Sequence, residues 1–284
     1  MSVVHVLDSH FFQELDAVKR QPVDAVPTSF PTWDRLCRDE GGGVGLARGW
    51  QVIVGGNPSI GKSTIALNLV ESAMKNGFSP GLLSLEMSNN QGITRLMAIT
   101  SGISLKRLEA GKEYCTEDAF SAELYFKRHW EQRKARLHFT DEVYDLDEIE
   151  SVVETMADNG CKLVVIDYLQ LVNSSEDEST ARVADVARAT RRLAKRAGVV
   201  VVGISQLTRA AADSDESPKP QGLYGGAVLE QSADQVILID HTTFKRHGHF
   251  GDGDMLIAKN RHGAQGSVPI RYDYRTLRIE EHHE

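Results

Sequence analysis

One short loop limits the fold of this sequence more than any other feature. It reads GGNPSIGKST over residues 55–64, with a short apolar run before it and a stretch of helical period after it. The spacing from Gly56 to Ser63, Gly-x4-Gly-Lys-Ser, is typical of a phosphate-binding loop between a strand and a helix. Glycines let backbone N–H groups turn toward phosphate, and the start of a helix favours negative charge. The loop therefore predicts a nucleotide-binding α/β protein.

Each part of the loop has an expected role at the nucleotide. We expect Lys62 to reach the β- and γ-phosphates and the Ser63 hydroxyl to bind Mg²⁺. The other expected contacts come from the rest of the loop, namely Gly56, Asn57, Pro58, Ser59, Ile60, Gly61 and Thr64.

From residue 50 onward, short apolar runs alternate with longer stretches of helical period. Strands are predicted at 51–54, 81–85, 163–166, 199–204, 235–239, 255–258 and 268–272, and helices at 62–75, 90–100, 117–133, 146–158 and 179–197. Strands separated by helices of this length imply a mostly parallel sheet covered on both faces. The last two strands, joined by KNRHGAQG, are predicted to form an antiparallel hairpin.

Polar side chains follow three of the predicted strands. Asp167 follows the apolar run in LVVIDYLQL, Glu86 follows the one in GLLSLEMS, and Gln206 follows the one in VVVVGISQL. Side chains at the carboxyl ends of neighbouring parallel strands converge on one crevice. We expect Asp167 to hold Mg²⁺, Glu86 to act as general base and Gln206 to sense the γ-phosphate. The alternatives are an Asp that caps a turn and an exposed strand-end Glu.

Charge and cysteine usage exclude several classes of protein. The 40 acidic residues outnumber the 32 basic ones, so a uniformly basic DNA-coating surface is not expected, although a local basic groove or channel is compatible. The three cysteines form no CxxC pair, and His241, His247 and His249 lack metal-ligand spacing. With no membrane-spanning run and no secretory signal, the sequence predicts a cytoplasmic protein.

Several segments in order resemble the C-terminal motor domain of DnaB-type replicative helicases, which has a RecA-like fold. They are AVPTSFPTWDRL, GGNPSIGKST, LSLEM, VIDYLQL, ISQLTR and LEQSAD, followed by IAKNRHGAQGSV, which resembles the hairpin that the family places against a neighbouring subunit's ATP. The resemblance runs from about residue 25 to residue 280. It implies a RecA-like ATPase domain at 25–284, preceded by an N-terminal arm at residues 1–24. Within the arm, the amphipathic pattern of residues 11–21 predicts a short helix that ends before Pro22. Residues 22–32, with three prolines, are predicted to be an extended connector.

The same resemblance implies roles and partners. ATP and Mg²⁺ would be the cofactors, with Lys62, Ser63, Asp167, Glu86 and Gln206 in the roles given above. Arg261 would be an arginine finger and Lys259 its companion, both acting on the ATP of the adjacent protomer in a ring of subunits, expected to number six. Family members carry an N-terminal domain that contacts primase. This sequence is expected to lack it, so that loader or primase contacts come from separate proteins.

The expected contacts with single-stranded DNA are weaker in pattern. Where the family has an Arg-Glu-Ser-Gly-like turn before LEQSAD, this sequence has Tyr224, Gly225 and Gly226; Arg209 lies in the preceding loop. Glycine N–H groups can bind phosphate and tyrosine can stack on a base, whereas the acidic stretch 213–216 would repel DNA.

Three functions fit these motifs. The first is an ATP-driven helicase motor in DNA replication, and the second is a DNA-stimulated ATPase of RecA or RadA type in recombination or repair without unwinding. The third is a small-molecule phosphotransferase, which leaves the hairpin arginine without a role.

Overall fold

The computed structural model describes residues 25–37, 44–114, 117–131 and 135–282. Its strands are β1 (Ala25–Val26), β2 (Leu46–Ala47), β3 (Gln51–Gly56), β4 (Ser79–Ser84), β5 (His138–Thr140), β6 (Cys161–Asp167), β7 (Val200–Gln206), β8 (Gln235–His247), β9 (Phe250–Asn260), β10 (Gly266–Asp273) and β11 (Arg278–Glu281). Its helices are α1 (Pro31–Leu36), α2 (Lys62–Lys75), α3 (Asn89–Ser101), α4 (Leu105–Tyr114), α5 (Glu117–Glu131), α6 (Leu146–Asp158), α7 (Ser179–Ala197), α8 (Arg209–Ala212) and α9 (Gly226–Ser232).

One large sheet forms the centre of the described chain. Its order is β11-β10-β9-β8-β3-β7-β6-β4-β5, and the strands from β8 to β5 are parallel. The central strands consist largely of valine, leucine and isoleucine because both of their faces are buried. This arrangement confirms the predicted α/β class, a mostly parallel sheet flanked by helices.

Alternate residues of β3 face opposite layers of helices. Val52 and Val54 belong to a core shared with α2, whereas Ile53 belongs to a core shared with α6 and α7. This follows from the two-residue period of a strand. Because both faces of β3 are packed, the strand that leads into the loop at residue 57 is held in place.

The antiparallel hairpin predicted at the C-terminal end is confirmed, but it belongs to a larger unit. β9, β10 and β11 each pair antiparallel with the strand before them. β8 extends to His247, beyond the strand predicted at 235–239, so the polar segment 240–247 is also strand. Polar side chains are compatible with an exposed antiparallel ribbon, because the hydrogen bonds between its strands are made by the backbone. Lys245 and Asp252 are one such pair across β8 and β9.

The predicted helices are present, with some differences at their ends. α2, α6 and α7 have the predicted bounds, whereas α4 was not predicted. The predicted connector at 22–32 ends early, since Pro31 and Thr32 begin α1, where proline suits the first helical turn. The expected arm helix at 11–21 lies outside the described residues. Within the described ranges, no helix has the length and apolar character needed to cross a membrane.

Candidate nucleotide-binding site

The loop at residues 57–61 opens onto a cavity of about 520 Å³ at the carboxyl edge of the parallel strands. Lys62, Ser63 and Thr64 line one side of the cavity, while Glu86, Asp167 and Gln206 line the other. The sheet explains this meeting, because β3 lies beside β7, β7 beside β6 and β6 beside β4. The structure therefore brings together Lys62, Ser63, Asp167, Glu86 and Gln206, five of the residues for which phosphate, metal or catalytic roles were predicted.

Glycine at position 61 is required by the shape of the loop. Gly61 has φ +109°, and a Cβ added there would lie 2.8 Å from the ring of Tyr272. α2 begins at the next residue, so the first N–H groups of the helix face the cavity. The Tyr272 hydroxyl is hydrogen-bonded to the Thr64 hydroxyl at 2.9 Å, which fixes the aromatic wall against the start of the helix.

Lys62 already binds the loop in this structure. Its Nζ donates a hydrogen bond of 2.7 Å to the carbonyl oxygen of Asn57, and the residue is buried. Burial lowers the pKa of the ammonium, while the nearby charges of Asp167 and Glu86 act in the opposite direction. A buried cation with a carbonyl partner can exchange that partner for a phosphate oxygen when a nucleotide enters.

Asp167 is a buried carboxylate with unused binding capacity. It accepts a hydrogen bond from Ser63, and its Oδ1 has no hydrogen-bond partner among the described residues. Burial raises the pKa of this carboxyl to about 6, the Ser63 hydrogen bond lowers it, and the charge of Glu86 raises it further.

An unpaired carboxylate oxygen beside a hydroxyl fits Mg²⁺. This ion binds through one or two protein oxygens together with phosphates and water. Across the described ranges, no group of three or more His, Cys, Asp or Glu side chains is arranged to hold a metal by itself. A Mg²⁺ ion at Ser63 and Asp167 would thus depend on the nucleotide and on water for its remaining ligands.

Glu86 and Gln206 reach the same cavity from two different strands. Glu86 follows the end of β4 by two residues and is exposed, so its carboxylate has access to water. Gln206 is the last residue of β7 and pairs in the sheet with Gly56, the last residue of β3. These positions suit a base that faces a water molecule and an amide beside the loop.

Five residues that line the cavity were not predicted, namely Met87, Gln91, Arg95, Tyr168 and Tyr272. Gln91 and Arg95 lie one turn apart on α3, and Tyr272 comes from β10. The charge of Arg95 acts on Asp167 by lowering its pKa. The i, i+4 spacing of a polar and a basic residue just after the LEMS segment was the available signal for Gln91 and Arg95. Tyr272 gave no comparable signal, because only the order of strands in the sheet brings it to the loop.

Arg261 and Lys259 lie away from this cavity. β9 ends at Asn260, which pairs with Gln235 at the start of β8, and Gln235 lies beside Val52 near the start of β3. The phosphate loop is at the other end of β3, whose six residues span roughly 17 to 20 Å. Lys259 and Arg261 therefore lie at the opposite edge of the sheet from the phosphate loop of their own chain.

The side chains of this pair rest on main-chain carbonyls. Arg261 Nη2 donates to the carbonyl oxygen of Gln231 at 2.8 Å. Lys259 Nζ donates to the carbonyl oxygen of Ala233 at 2.9 Å and to that of Glu230. All three carbonyls belong to the last turn of α9 or the residue after it.

The four residues predicted to contact DNA follow β7 in the chain. Arg209 is exposed at the start of α8, and the Tyr224 hydroxyl is hydrogen-bonded to Ser179. Gly225 has φ +76° and immediately precedes α9, while the N–H of Gly226 donates to the carbonyl oxygen of Leu223 at 2.8 Å. The N–H of Tyr224 donates to the carbonyl oxygen of Gln206, so the backbone of this turn is attached both to its own loop and to the strand that ends at the cavity.

Comparisons with known proteins place the fold and the family. The family model described as "DnaB-like helicase C terminal domain" matches residues 25–281. A "Probable plasmid replicative DNA helicase" of Chlamydia trachomatis serovar L2 is 31% identical over 257 residues, which cover 88% of this chain and 53% of the relative. The "Replicative DNA helicase DnaB" of Leifsonia xyli subsp. xyli is 29% identical over 273 residues, which cover 91% and 57%.

A solved structure agrees on the fold. The structure titled "The Structure Of A DnaB-Like Replicative Helicase And Its Interactions With Primase" superposes with a TM-score of 0.82 at 22% identity, over 98% of this chain and 69% of that one. The chain spans about half the length of the curated relatives it matches. Because the family model covers nearly all of the sequence, the chain belongs to the family of DnaB-like helicase C-terminal domains.

Proposed function

We propose that this chain is the ATP-hydrolysing motor of a replicative DNA helicase. Subunits would assemble in a ring of six, hydrolyse ATP at their interfaces, move along single-stranded DNA and unwind duplex DNA during replication. The observation that carries the proposal is the division of the site between two edges of the sheet. The carboxyl edge holds Lys62, Ser63 and Asp167, whereas Arg261 lies at the opposite edge.

The residues of the cavity would bind and orient ATP. Mg²⁺, when bound with the nucleotide, neutralises charge on the β- and γ-phosphates. Lys62 would leave the Asn57 carbonyl for a phosphate oxygen, and Ser63 and Asp167 would hold the metal. Glu86 would orient a water molecule and accept its proton. The side-chain amide of Gln206 would bind the γ-phosphate and report whether it is present.

Stabilisation of the transition state would require a second subunit. A phosphoryl group in transfer spreads negative charge over its outer oxygens, and an arginine placed there accelerates hydrolysis strongly. Arg261 is exposed and lies far from its own nucleotide site, and Lys259 lies two residues before it on β9. If one subunit places this edge of its sheet against the nucleotide cavity of the next subunit, its Arg261 and Lys259 reach the ATP bound there. Hydrolysis would then depend on assembly of the subunits.

An apolar surface on α5 suits such assembly. Phe120 and Leu124 are 68% and 39% exposed, respectively, and they lie one helical turn apart, next to Tyr125 at 51%. Exposed aromatic and aliphatic side chains in one group are typical of interaction sites. We propose that a neighbouring subunit covers them.

DNA and replication proteins would be the remaining partners. Tyr224, Gly225, Gly226 and Arg209 would contact single-stranded DNA in the centre of the ring. One structural relative is described together with its interactions with primase, and a separate primase or loader is the corresponding partner we propose here. Because the proposed DNA substrate is chromosomal or plasmid DNA, we propose a cytoplasmic location for the protein.

The decisive experiment measures ATP hydrolysis with and without single-stranded DNA. It compares the wild type with Arg261→Ala, with Lys62→Ala, and with an equimolar mixture of the two variants. We expect DNA to stimulate the wild type, each variant alone to be inactive, and the mixture to regain part of the activity at mixed interfaces. Turnover that ignores DNA, or an active Arg261→Ala variant, would refute the proposal.

A second assay separates unwinding from DNA-stimulated hydrolysis alone. A radiolabelled or fluorescent strand annealed to a tailed template is released only by a helicase. We expect ATP-dependent release by the wild type and none by Lys62→Ala. Stimulated hydrolysis without strand release would instead support a RecA-like or RadA-like ATPase.

A further inference from the structure

Asp234, in the LEQSAD segment, is a fully buried carboxylate outside the nucleotide site. Both terminal nitrogens of Arg191 donate to it, one of them to Oδ1 at 2.7 Å. The N–H of Gln51 donates to Oδ2 at 2.8 Å, and Nε2 of His262 lies 3.1 Å from Oδ1. Burial of a charge is unfavourable unless it is fully paired, so this degree of pairing is itself a requirement of the fold.

The partners of Asp234 come from three separate parts of the chain. Gln51 is the first residue of β3, the strand that leads to the phosphate loop. Arg191 lies in α7 and also donates to the carbonyl oxygen of Gly49 at 2.8 Å. His262 belongs to the turn after β9, next to Arg261. A single carboxylate thus joins the start of the central strand, a core helix and the turn that carries the arginine finger.

The main chain of Asp234 holds the same turn. Its carbonyl oxygen accepts a hydrogen bond of 2.8 Å from the N–H of Arg261. The ring of His262 stacks on Trp50, with centroids 4.4 Å apart and planes 8° apart. The turn is therefore fixed at two adjacent residues, by a backbone bond at Arg261 and by an aromatic contact at His262.

In the chain, Asp234 comes directly after the residues whose carbonyl oxygens accept hydrogen bonds from Lys259 and Arg261. Lys259 is bonded to the carbonyls of Glu230 and Ala233, and Arg261 to that of Gln231. With Asp234 anchored to β3 and α7, the end of α9 is a fixed platform for both side chains.

We infer that Asp234 is a positioning residue for the residues that act on the neighbouring subunit's ATP. It sets the place of Lys259 and Arg261 relative to the rigid sheet, without contact with the nucleotide of either subunit. The inference rests on the proposed function, since it assumes that Arg261 acts at a subunit interface. A displaced finger loses the alignment on which stabilisation of the transition state depends.

The test uses Asp234→Asn, which keeps the size and shape of the side chain and removes its charge. We expect turnover to fall on the order of 10- to 100-fold, while ATP affinity in the variant's own cavity stays within about twofold of the wild type. Mixed with Lys62→Ala, which supplies an intact finger, the variant should regain activity. Mixed with Arg261→Ala, it should show no recovery above its own reduced turnover, because both proteins then lack a working finger.

A merely structural role gives a different result. If Asp234→Asn loses ATP binding, or gains nothing from Lys62→Ala, the inference is wrong. If the mixture of Arg261→Ala and Lys62→Ala also fails to recover, the proposed function fails first, so the two failures are distinguishable.

A milder variant decides the matter if Asp234→Asn does not fold. His262→Ala removes one partner of Asp234 and the stack on Trp50, and it should lower turnover less, with the same pattern of recovery in mixtures. His247→Ala, an exposed histidine in the β8–β9 ribbon, is the matched control and should retain full activity. Full activity of folded His262→Ala and Asp234→Asn, or of His262→Ala where only that variant folds, would overturn the inference.

Discussion

The backbone N–H of Tyr224 donates a hydrogen bond of 2.9 Å to the carbonyl oxygen of Gln206. Gln206 lines the nucleotide cavity, while Tyr224 begins the turn proposed to contact DNA. The residue after β7 is also tied to the loop strand, since the N–H of Leu207 donates to the carbonyl oxygen of Gly56 at 3.3 Å. A shift of the Gln206 backbone on γ-phosphate binding would therefore move the DNA turn directly.

Replacement of Gln206 by Ala should separate hydrolysis from DNA. The variant keeps the backbone bond to Tyr224 but loses the amide that would sense the phosphate. We expect ATP binding within about threefold of the wild type and loss of most of the stimulation by single-stranded DNA, since typical couplings of roughly 5- to 150-fold depend on such differential contacts. ATPase rates over a DNA titration measure this. Stimulation equal to the wild type would contradict the proposed sensor role.

Replacement of Lys62 by Ala should abolish tight nucleotide binding. The ammonium is buried beside the loop, and a charge-assisted bond to phosphate contributes on the order of 2 to 3 kcal/mol. Affinity for ATP should fall at least about tenfold, as measured by fluorescence titration of a labelled nucleotide. Lys75→Ala, at the far end of the same helix, is the control and should bind as the wild type does.

Replacement of Glu86 by Gln should affect chemistry and leave binding intact. The amide keeps the size of the side chain but cannot accept a proton from water, so turnover should fall about 100-fold or more. ATP affinity should change by less than about threefold. Glu142→Gln alters an exposed glutamate outside the cavity and serves as the matched control. Equal losses in both variants would remove the reason for assigning Glu86 as the base.

The sequence predicted the residues whose position depends on simple rules of chain geometry. Asp167 and Gln206 end buried parallel strands and Glu86 follows the end of another, and such ends meet at one edge whatever the order of strands. The loop between a strand and a helix was likewise readable from spacing. These elements depend on local pattern, which a single sequence contains.

Other parts depend on long-range pairing and could not be read in this way. Tyr272 reaches the phosphate loop only because β10 and β9 extend the sheet beyond β8. The polar end of β8 is a strand because its backbone pairs with β9. Its side chains show no alternation of apolar residues from which a strand could be predicted. The buried ion pair of Asp234 and Arg191 joins residues 43 positions apart, and the basic character of α7 gave no reason to select Arg191.

Addition of a methyl group at Gly226 should damage the DNA turn. A Cβ there would lie 2.6 Å from the carbonyl oxygen of Pro220 and 2.7 Å from that of Gln221, so the turn must shift. We expect Gly226→Ala to weaken binding of single-stranded DNA and to lower stability by about 1 to 3 kcal/mol, with basal ATP hydrolysis retained. Ala227→Ser, at the exposed next position, is the control. Fluorescence anisotropy with labelled DNA measures the difference, and unchanged affinity in Gly226→Ala would argue against this turn as the contact.

Asp167 should make the metal-free, nucleotide-free protein less stable as the pH rises. Its pKa is raised from 3.8 to about 6, so the folded state holds the proton more tightly than the unfolded state does. Stability is therefore greatest below the unfolded pKa and falls as the pH rises through that of the folded state. Asp167→Asn removes this penalty. At a pH of about 8 in EDTA, the variant should be more stable than the wild type by up to about 3 kcal/mol, and the difference should shrink toward a pH of about 4.

Urea unfolding at about pH 5 and about pH 8 tests this expectation, with Asp215→Asn as an exposed control that should show no comparable gain. The Asn variant keeps an acceptor for the Ser63 hydroxyl, so packing around the site is preserved. The gain in stability should be accompanied by loss of Mg²⁺-dependent hydrolysis, because the amide is a poor ligand for the metal. A variant that is less stable than the wild type at the higher pH would mean that the carboxylate stabilises the empty site, contrary to its burial and its unpaired oxygen.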